Sequence, residues 1–339
     1  MGFAAAFAWK PAIMAVMTAQ YRKNQEPAAR AFPEGLNVVL IGTGSPMGDI
    51  SREGPCIAVV AGDSTFIVDA GEGSNRNIQL SKIPSKPDAL LLTHFHSDHI
   101  ASLGDIALGH WARDKSAEPL LVIGPPGVDR VVKGFNEAYA HDASYRVQHH
   151  SAEWMPPSGA GSVARTVELG PENDASTVIY EVDGLKITMF RVDHGVVKPA
   201  VGYRFDYRGR SVAVSGDTMY TESIVRNAAG VDILFCEALS VPFVSVIESY
   251  ASNPSTAKIA HDIPDYHSSP EDAAKMASGA DAGMLALYHI IPPTASSLMF
   301  PSFLGDAGKY FHRQITIGAD GMMFNLKPDS NTVRQSRRF

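Results

Sequence analysis

From Asn37 onward the chain is written in short apolar runs separated by turn residues, the pattern of buried strands rather than of long helices. Asn37–Ile41, Cys56–Ala61, Ser64–Val68, Ala89–Leu92 and Leu120–Ile123 are the first five runs, and Gly62-Asp63 is a two-residue hairpin signal. A helical period takes over from Ile100 to Arg113 and, after the turn Gly124-Pro125-Pro126-Gly127, from Val128 to Ala140. Between residues 141 and 171 the period fades into Tyr145, His149-His150, Trp154, Met155 and Pro156-Pro157, which predicts an irregular segment whose aromatics from Tyr145 to Trp154 either cover a substrate or pack into the core. Strands resume at Val178–Glu181, Leu185–Val192, Ala200–Phe205 and Ser211–Ser215, with hairpin turns at Asp183-Gly184 and Arg208-Gly209. Helices at Thr221–Ala229 and Pro270–Ser278 and strands at Ile233–Phe235, Gly283–Tyr288 and Ile315–Ile317 complete a second β/α half. The fold class this predicts is α/β (α+β).

Ahead of Asn37 stand two apolar stretches, Phe3–Trp9 and Pro11–Ala19, broken by Lys10-Pro11. Neither reaches the roughly 20 residues that span a bilayer. Residues 1–34 are therefore expected to form a helical arm that packs on the body or on a second subunit. The charge is misplaced for a signal peptide, although Met17-Thr18-Ala19 is an acceptable cleavage site. A cytoplasmic location is expected, with a periplasmic or membrane-anchored one as the alternative.

Composition refines this picture only slightly. With 339 residues, 45% apolar and 19% charged, the chain can bury a large core, and residues 35–330 are expected to form one catalytic domain. A formal charge of −7 gives no basic stripe for a polyanionic partner. The basic tail Arg334–Arg338 is expected to be a frayed, solvated end. Cys56 and Cys236 lie in apolar runs, where a thiol is buried and inert.

The chemistry is concentrated in Thr93-His94-Phe95-His96-Ser97-Asp98-His99, directly after the apolar run Ala89–Leu92. On a strand end, His94 and His96 alternate onto one side, with Asp98 and His99 on the turn that follows. Imidazoles and a carboxylate in this arrangement are ligands for zinc and other first-row metals. Three further candidates, His194, Asp217 and His289, each follow an apolar run beside a turn. His149 and His150 read as polar surface. The Gly-rich turn Gly42-Thr43-Gly44-Ser45-Pro46 lacks the spacing and the lysine of a phosphate loop.

The spelling His-x-His-x-Asp-His after an apolar strand and a threonine resembles the metallo-β-lactamase superfamily. That resemblance implies a four-layer αβ/βα sandwich, the metallo-β-lactamase fold, with two divalent metal ions at one edge. It implies that His94, His96 and His194 hold one metal, that Asp98, His99 and His289 hold the other, and that Asp217 bridges them. Zinc is expected, manganese or iron also suiting the ligands. Asp69 matches an aspartate that lies beneath the site as a support. The nearest branch is similar to ribonuclease Z, which trims transfer-RNA 3′ ends, and to the arylsulfatase-like and phosphodiesterase-like relatives. In that branch Glu237 would steady His267, which would protonate the leaving oxygen. A bridging hydroxide would be the nucleophile, with Asp98 orienting it or taking its proton.

One departure bears on the substrate. The interval from His194 to Asp217 holds two predicted strands and no long arm of the kind ribonuclease Z uses to clamp transfer RNA. With the acidic charge, this makes a small-molecule ester the expected substrate: a phosphodiester, sulfate ester or lactone. Nucleic acid is possible but not favoured, and the alternative is a ribonuclease Z-like 3′ endonuclease with a promiscuous β-lactamase activity. A second alternative is a non-catalytic, metal-binding sensor or partner protein. A homodimer is the habit of the family.

Overall fold

The computed structural model describes residues 2–25, 31–84, 86–113 and 115–339. Two mixed sheets face each other. The first holds eight strands in the order β15-β14-β1-β2-β3-β4-β5-β6 and the second seven in the order β13-β12-β11-β10-β9-β8-β7. In chain order the strands are β1 Leu36–Gly42, β2 Cys56–Ala61, β3 Ser64–Val68, β4 Ala89–Leu91, β5 Leu120–Gly124, β6 Ser162–Thr166, β7 Ser176–Val182 and β8 Leu185–Arg191. They continue as β9 Val201–Tyr207, β10 Arg210–Val214, β11 Ile233–Leu239, β12 Met284–Ile291, β13 Gln314–Ile317, β14 Met322–Leu326 and β15 Val333–Arg337.

Strands buried on both faces explain the continuous apolar runs. One set of side chains, including Val38, Val59, Phe66, Ile187, Phe205, Val214, Phe235 and Phe324, fills the space between the sheets. The other face of the eight-stranded sheet packs Val39, Ile67, Leu90 and Val122 against helices Ser74–Ser81, Leu103–Arg113 and Val128–His150. The other face of the seven-stranded sheet packs Leu234, Cys236 and Leu285 against helix Pro270–Gly279 and its neighbours. The result is the expected four-layer sandwich. Cys56 and Cys236 are both buried and unpaired.

Several expectations need correction. Helix Val128–His150 runs ten residues beyond the expected stop at Ala140. No glycine or proline interrupts residues 135–155, and a helix exposed along most of its length keeps no clear apolar period. This moves the expected aromatic cover. The helix leaves the C-terminal end of β5, and 23 residues carry it about 34 Å back past the start of β6. Ser162 of β6 pairs with Leu120, the first residue of β5. Trp111 Nε1 donates to Pro156 O at 2.7 Å at the far end of helix Leu103–Arg113. Tyr145 and Trp154 are exposed at the sheet end opposite the histidine motif, so they do not cover it.

The basic tail is not frayed: Val333–Arg337 pairs with β14 as the edge strand β15. A helical pair, Val241–Tyr250 and Pro254–Asp262, also went unpredicted between β11 and His267. Helix Gly2–Gln25 forms the N-terminal arm, but its residues Trp9 to Lys23 are all exposed, so this stretch does not pack into the body. Among the described residues no helix is long and apolar enough to cross a membrane.

A polar knot closes the sandwich where β1 ends. Asp320, 7% exposed, accepts from Thr43 N at 3.0 Å and Thr43 Oγ1 at 2.7 Å with one oxygen. Its other oxygen accepts from Glu53 N at 2.8 Å and Asn77 Nδ2 at 3.0 Å. Thr43 O in turn accepts from Ile290 N in β12 of the opposite sheet, at 2.9 Å. Asp320→Asn would turn an amide NH2 towards two of these donors and lower stability by about 1–3 kcal/mol. The expected readout is a lower urea midpoint at unchanged slope, and an unchanged midpoint would contradict the role given to this carboxylate.

Candidate metal centre

The ligand candidates converge at one edge, where the C-terminal ends of β4, β8, β10 and β12 meet. His94 and His96 follow β4, and helix Ser97–Ile100 then presents Asp98 and His99. His194 lies beyond β8, and Asp217 beyond β10. Gly216 turns the chain into Asp217 with φ +65°, where a Cβ would stand 2.8 Å from Val201 O and 2.9 Å from Thr93 Cβ. Only glycine fits that corner.

His289 is placed differently from its expected position. It lies within β12, not after it. Tyr288 pairs with Glu237 and Ile290 with Ala238, so His289 is the extra residue of a bulge, held at φ +48°. Bulges beside sites re-aim a side chain, and this one turns His289 towards the cluster.

Candidate ligand atoms of His94, His96, His194 and Asp217 lie within 4.8 Å of one another, as do those of Asp98, His99 and His289. Asp217 Oδ2 stands 3.2 Å from His99 Nε2, 3.4 Å from His289 Nε2, 3.8 Å from His94 Nε2 and 3.9 Å from His194 Nε2. Asp98 Oδ2 is 3.2 Å from His289 Nε2 and 3.5 Å from His99 Nε2. All seven expected positions are therefore together, and His149 and His150 lie exposed on the last turn of their helix, away from them.

Outer contacts orient the rings. Asp69 accepts from Thr93 N and Thr93 Oγ1, both at 2.8 Å, and its Oδ2 lies 2.9 Å from His99 Nδ1, the supporting place expected of it. His194 Nδ1 lies 2.7 Å from the carbonyl of Tyr266. Each bond leaves Nε2 of its imidazole facing the cluster. Burial pulls His94 well below the ordinary histidine range and His194 down to about 4, against Asp217 in both cases. Such imidazoles are neutral and free to bind a cation. Burial works to neutralise Asp217 too, but His289 and His99 outweigh it and hold the carboxyl well below its usual range.

Among the described residues, the buried atoms His94 Nε2, His99 Nε2 and Asp217 Oδ1 find no hydrogen-bond partner. Stranding such groups is costly, and a divalent cation coordinated by these nitrogens and oxygens is the partner their chemistry fits.

Beside the cluster, His267 Nδ1 lies 2.9 and 3.0 Å from the two oxygens of Glu237. Glu237 is fully buried within β11 and also accepts from Thr218 N at 2.8 Å and Ser268 N at 3.3 Å. Burial works to lower the pKa of His267, but Glu237 reverses this and raises it. The contacts made by Thr93, Thr218 and Tyr266 were not predicted from the sequence, although Thr93 stands in the motif; Thr218 N and Tyr266 O act as backbone atoms, which leave no side-chain signature.

A profile of the Beta-lactamase superfamily domain matches residues 64–290, which hold every one of these ligand candidates. The chain belongs to the metallo-β-lactamase superfamily. It is a metal-dependent hydrolase of that superfamily. Ribonuclease Z of Mycolicibacterium gilvum is 35% identical to it over 288 residues, 84% of this chain and 94% of that protein. Ribonuclease Z of Mycobacterium bovis is 36% identical over 260 residues, 76% of this chain and 86% of that one. Among solved structures, the metallo-β-lactamase fold protein YhfI of Bacillus subtilis matches 86% of this chain and 99% of its own, with TM-score 0.60 and 18% identity. Short-form human tRNase Z matches 87% of this chain and 100% of its own, with TM-score 0.56 and 18% identity. These two likenesses show the fold.

His94→Ala and Asp217→Ala proteins should each carry less divalent metal than the wild type by elemental analysis. Chelation should also lower the wild-type Tm, because a cation that binds only the folded state stabilises it. Full metal content in either variant would remove that residue from the ligand set.

Proposed function

We propose that this protein is a two-metal phosphodiesterase that cuts RNA, of the kind that trims the 3′ ends of precursor transfer RNA. The observation that carries this is the match to Ribonuclease Z over most of both chains, combined with the Glu237–His267 pair against the ligand cluster. It reverses the order of the sequence reading, which put a small ester ahead of RNA because no arm lies between His194 and Asp217. The alignment takes in 94% of the M. gilvum protein and 84% of this chain, and that breadth supports the RNA reading over the argument from the arm. Net charge, a sum over the whole surface, is weaker evidence than this site.

In this reading His94, His96, Asp98, His99, His194, Asp217 and His289 are the residues that would hold two divalent cations. Zinc suits this imidazole-rich set first. Divalent cations bound there supply Lewis acidity, which lowers the pKa of water and stabilises the negative charge that develops on phosphate oxygens. The protein's own groups do the rest. Asp98, 11% exposed at its side chain, is the carboxylate placed to orient the attacking water and receive its proton. His267 gives Nδ1 to Glu237 and keeps Nε2 for the leaving oxygen. By raising the proton affinity of that imidazole, Glu237 keeps the acid loaded.

The test is parallel turnover on a 3′-extended precursor transfer RNA, bis(p-nitrophenyl) phosphate, p-nitrophenyl sulfate and a lactone. The RNA should be cut at one position and with the highest kcat/KM. His267→Ala should retain its metal and slow RNA cleavage by about 10²–10⁴-fold, while losing less on the activated p-nitrophenyl ester, whose leaving group needs no proton. Fast turnover of a small ester with intact RNA would restore the small-ester reading.

A further inference from the structure

Tyr266 occupies the corner between the proposed acid and the ligand cluster. Its carbonyl holds His194, and its ring meets the His194 ring edge-on, with centroids 5.3 Å apart and planes at 75°. The same ring lies tilted at 45° across His267, 4.8 Å away. Behind it stands the apolar cluster of Leu239, Val244, Ala260, Ile263 and Ile291, which packs the helical pair Val241–Tyr250 and Pro254–Asp262 onto the body. Gly195, at φ +60°, comes close enough that a Cβ there would stand 3.1 Å from Tyr266 Cβ. The ring is thus fixed on two sides, yet it is only half-buried. Phe95, the aromatic residue between the motif histidines, is committed to the core beneath the eight-stranded sheet.

We propose that Tyr266 is the stacking platform for the base of the nucleotide that carries the leaving oxygen. The inference rests on the RNA reading of this site. His267 has Nδ1 bound by Glu237, so the leaving oxygen must approach the other ring nitrogen within hydrogen-bond reach. A nucleotide anchored there brings its base to the neighbouring ring, and an unstacked base gains most from an aromatic face already held in place. The stack is sequence-tolerant, because every base has a π-face. Tyr266 is a positioning residue here, with no part in the proton transfers.

The experiment uses the full-length, metal-loaded protein and precursor transfer RNAs carrying one abasic nucleotide on either side of the cut. Tyr266→Ala should raise KM roughly tenfold or more, the range expected for one base–aromatic stack, and Tyr266→Phe should restore it. Metal content should stay full in both, since His194 is held by a backbone carbonyl. The abasic nucleotide on the leaving-oxygen side should cost the wild type the same factor and cost Tyr266→Ala nothing further. Equilibrium binding of the same RNAs to the chelated protein should repeat this pattern without turnover. Losses that multiply at both positions, or a Tyr266→Ala protein with wild-type KM, overturn the inference while leaving the RNA reading intact. A wild type that binds and cuts none of these RNAs overturns both.

Discussion

One carboxylate sets the terms for the rest of the molecule. Asp217 is 2% exposed where the two sheets meet, with imidazoles of His99, His289, His94 and His194 all within 3.9 Å of one oxygen. Removing such a charge from water costs several kcal/mol unless partners replace the solvent. The fold draws those partners from both sheets, His94 and His99 from the end of β4, His194 and His289 from β8 and β12. The cluster exists only when the sandwich is closed at this edge, which is the place of the Asp320 knot and the Thr43–Ile290 hydrogen bond. Stability and chemistry are coupled here through geometry.

The same edge concentrates unusual backbone. Asp69, Gly195, Gly216 and His289 all have positive φ, and each stands at a corner that aims or supports a ligand candidate. Left-handed conformations at non-glycine residues cost free energy, so Asp69 and His289 are held by what surrounds them: Thr93 and His99 around one, strand β11 around the other. His94 Nε2, His99 Nε2 and Asp217 Oδ1 add a second local cost that a bound cation removes.

The sandwich, and the side chains that converge at its edge, were legible from sequence for a simple reason. Strands buried on both faces leave uninterrupted apolar runs, and the runs of β4, β8 and β10 lead into His94, His194 and Asp217. What escaped was anything fixed by backbone conformation or by long-range pairing. The bulge at His289 depends on register with Glu237. The edge strands Ser162–Thr166 and Val333–Arg337 are too polar to signal burial. The long helix continues to His150 for want of a breaker, which relocated the supposed aromatic cover to the far end of the sheet. Tyr266 offered no motif, because its carbonyl contact with His194 and its ring contact with His267 appear only when the helical pair packs.

Fold alone does not select a substrate, since loops retune one scaffold for many esters. In the proposed reading the choice is narrowed by the buried Glu237–His267 pair, which would serve as the acid for an alkoxide leaving group that cannot depart unaided. The most direct measurement is cleavage of a 3′-extended precursor transfer RNA, all-ribose or with one 2′-deoxynucleotide at the cut, before and after chelation. The account predicts that both RNAs are cut at the same position at similar rates, because water and not the 2′-hydroxyl attacks, and that chelation abolishes both reactions. Cleavage that needs the 2′-hydroxyl, survives chelation or never occurs would contradict it.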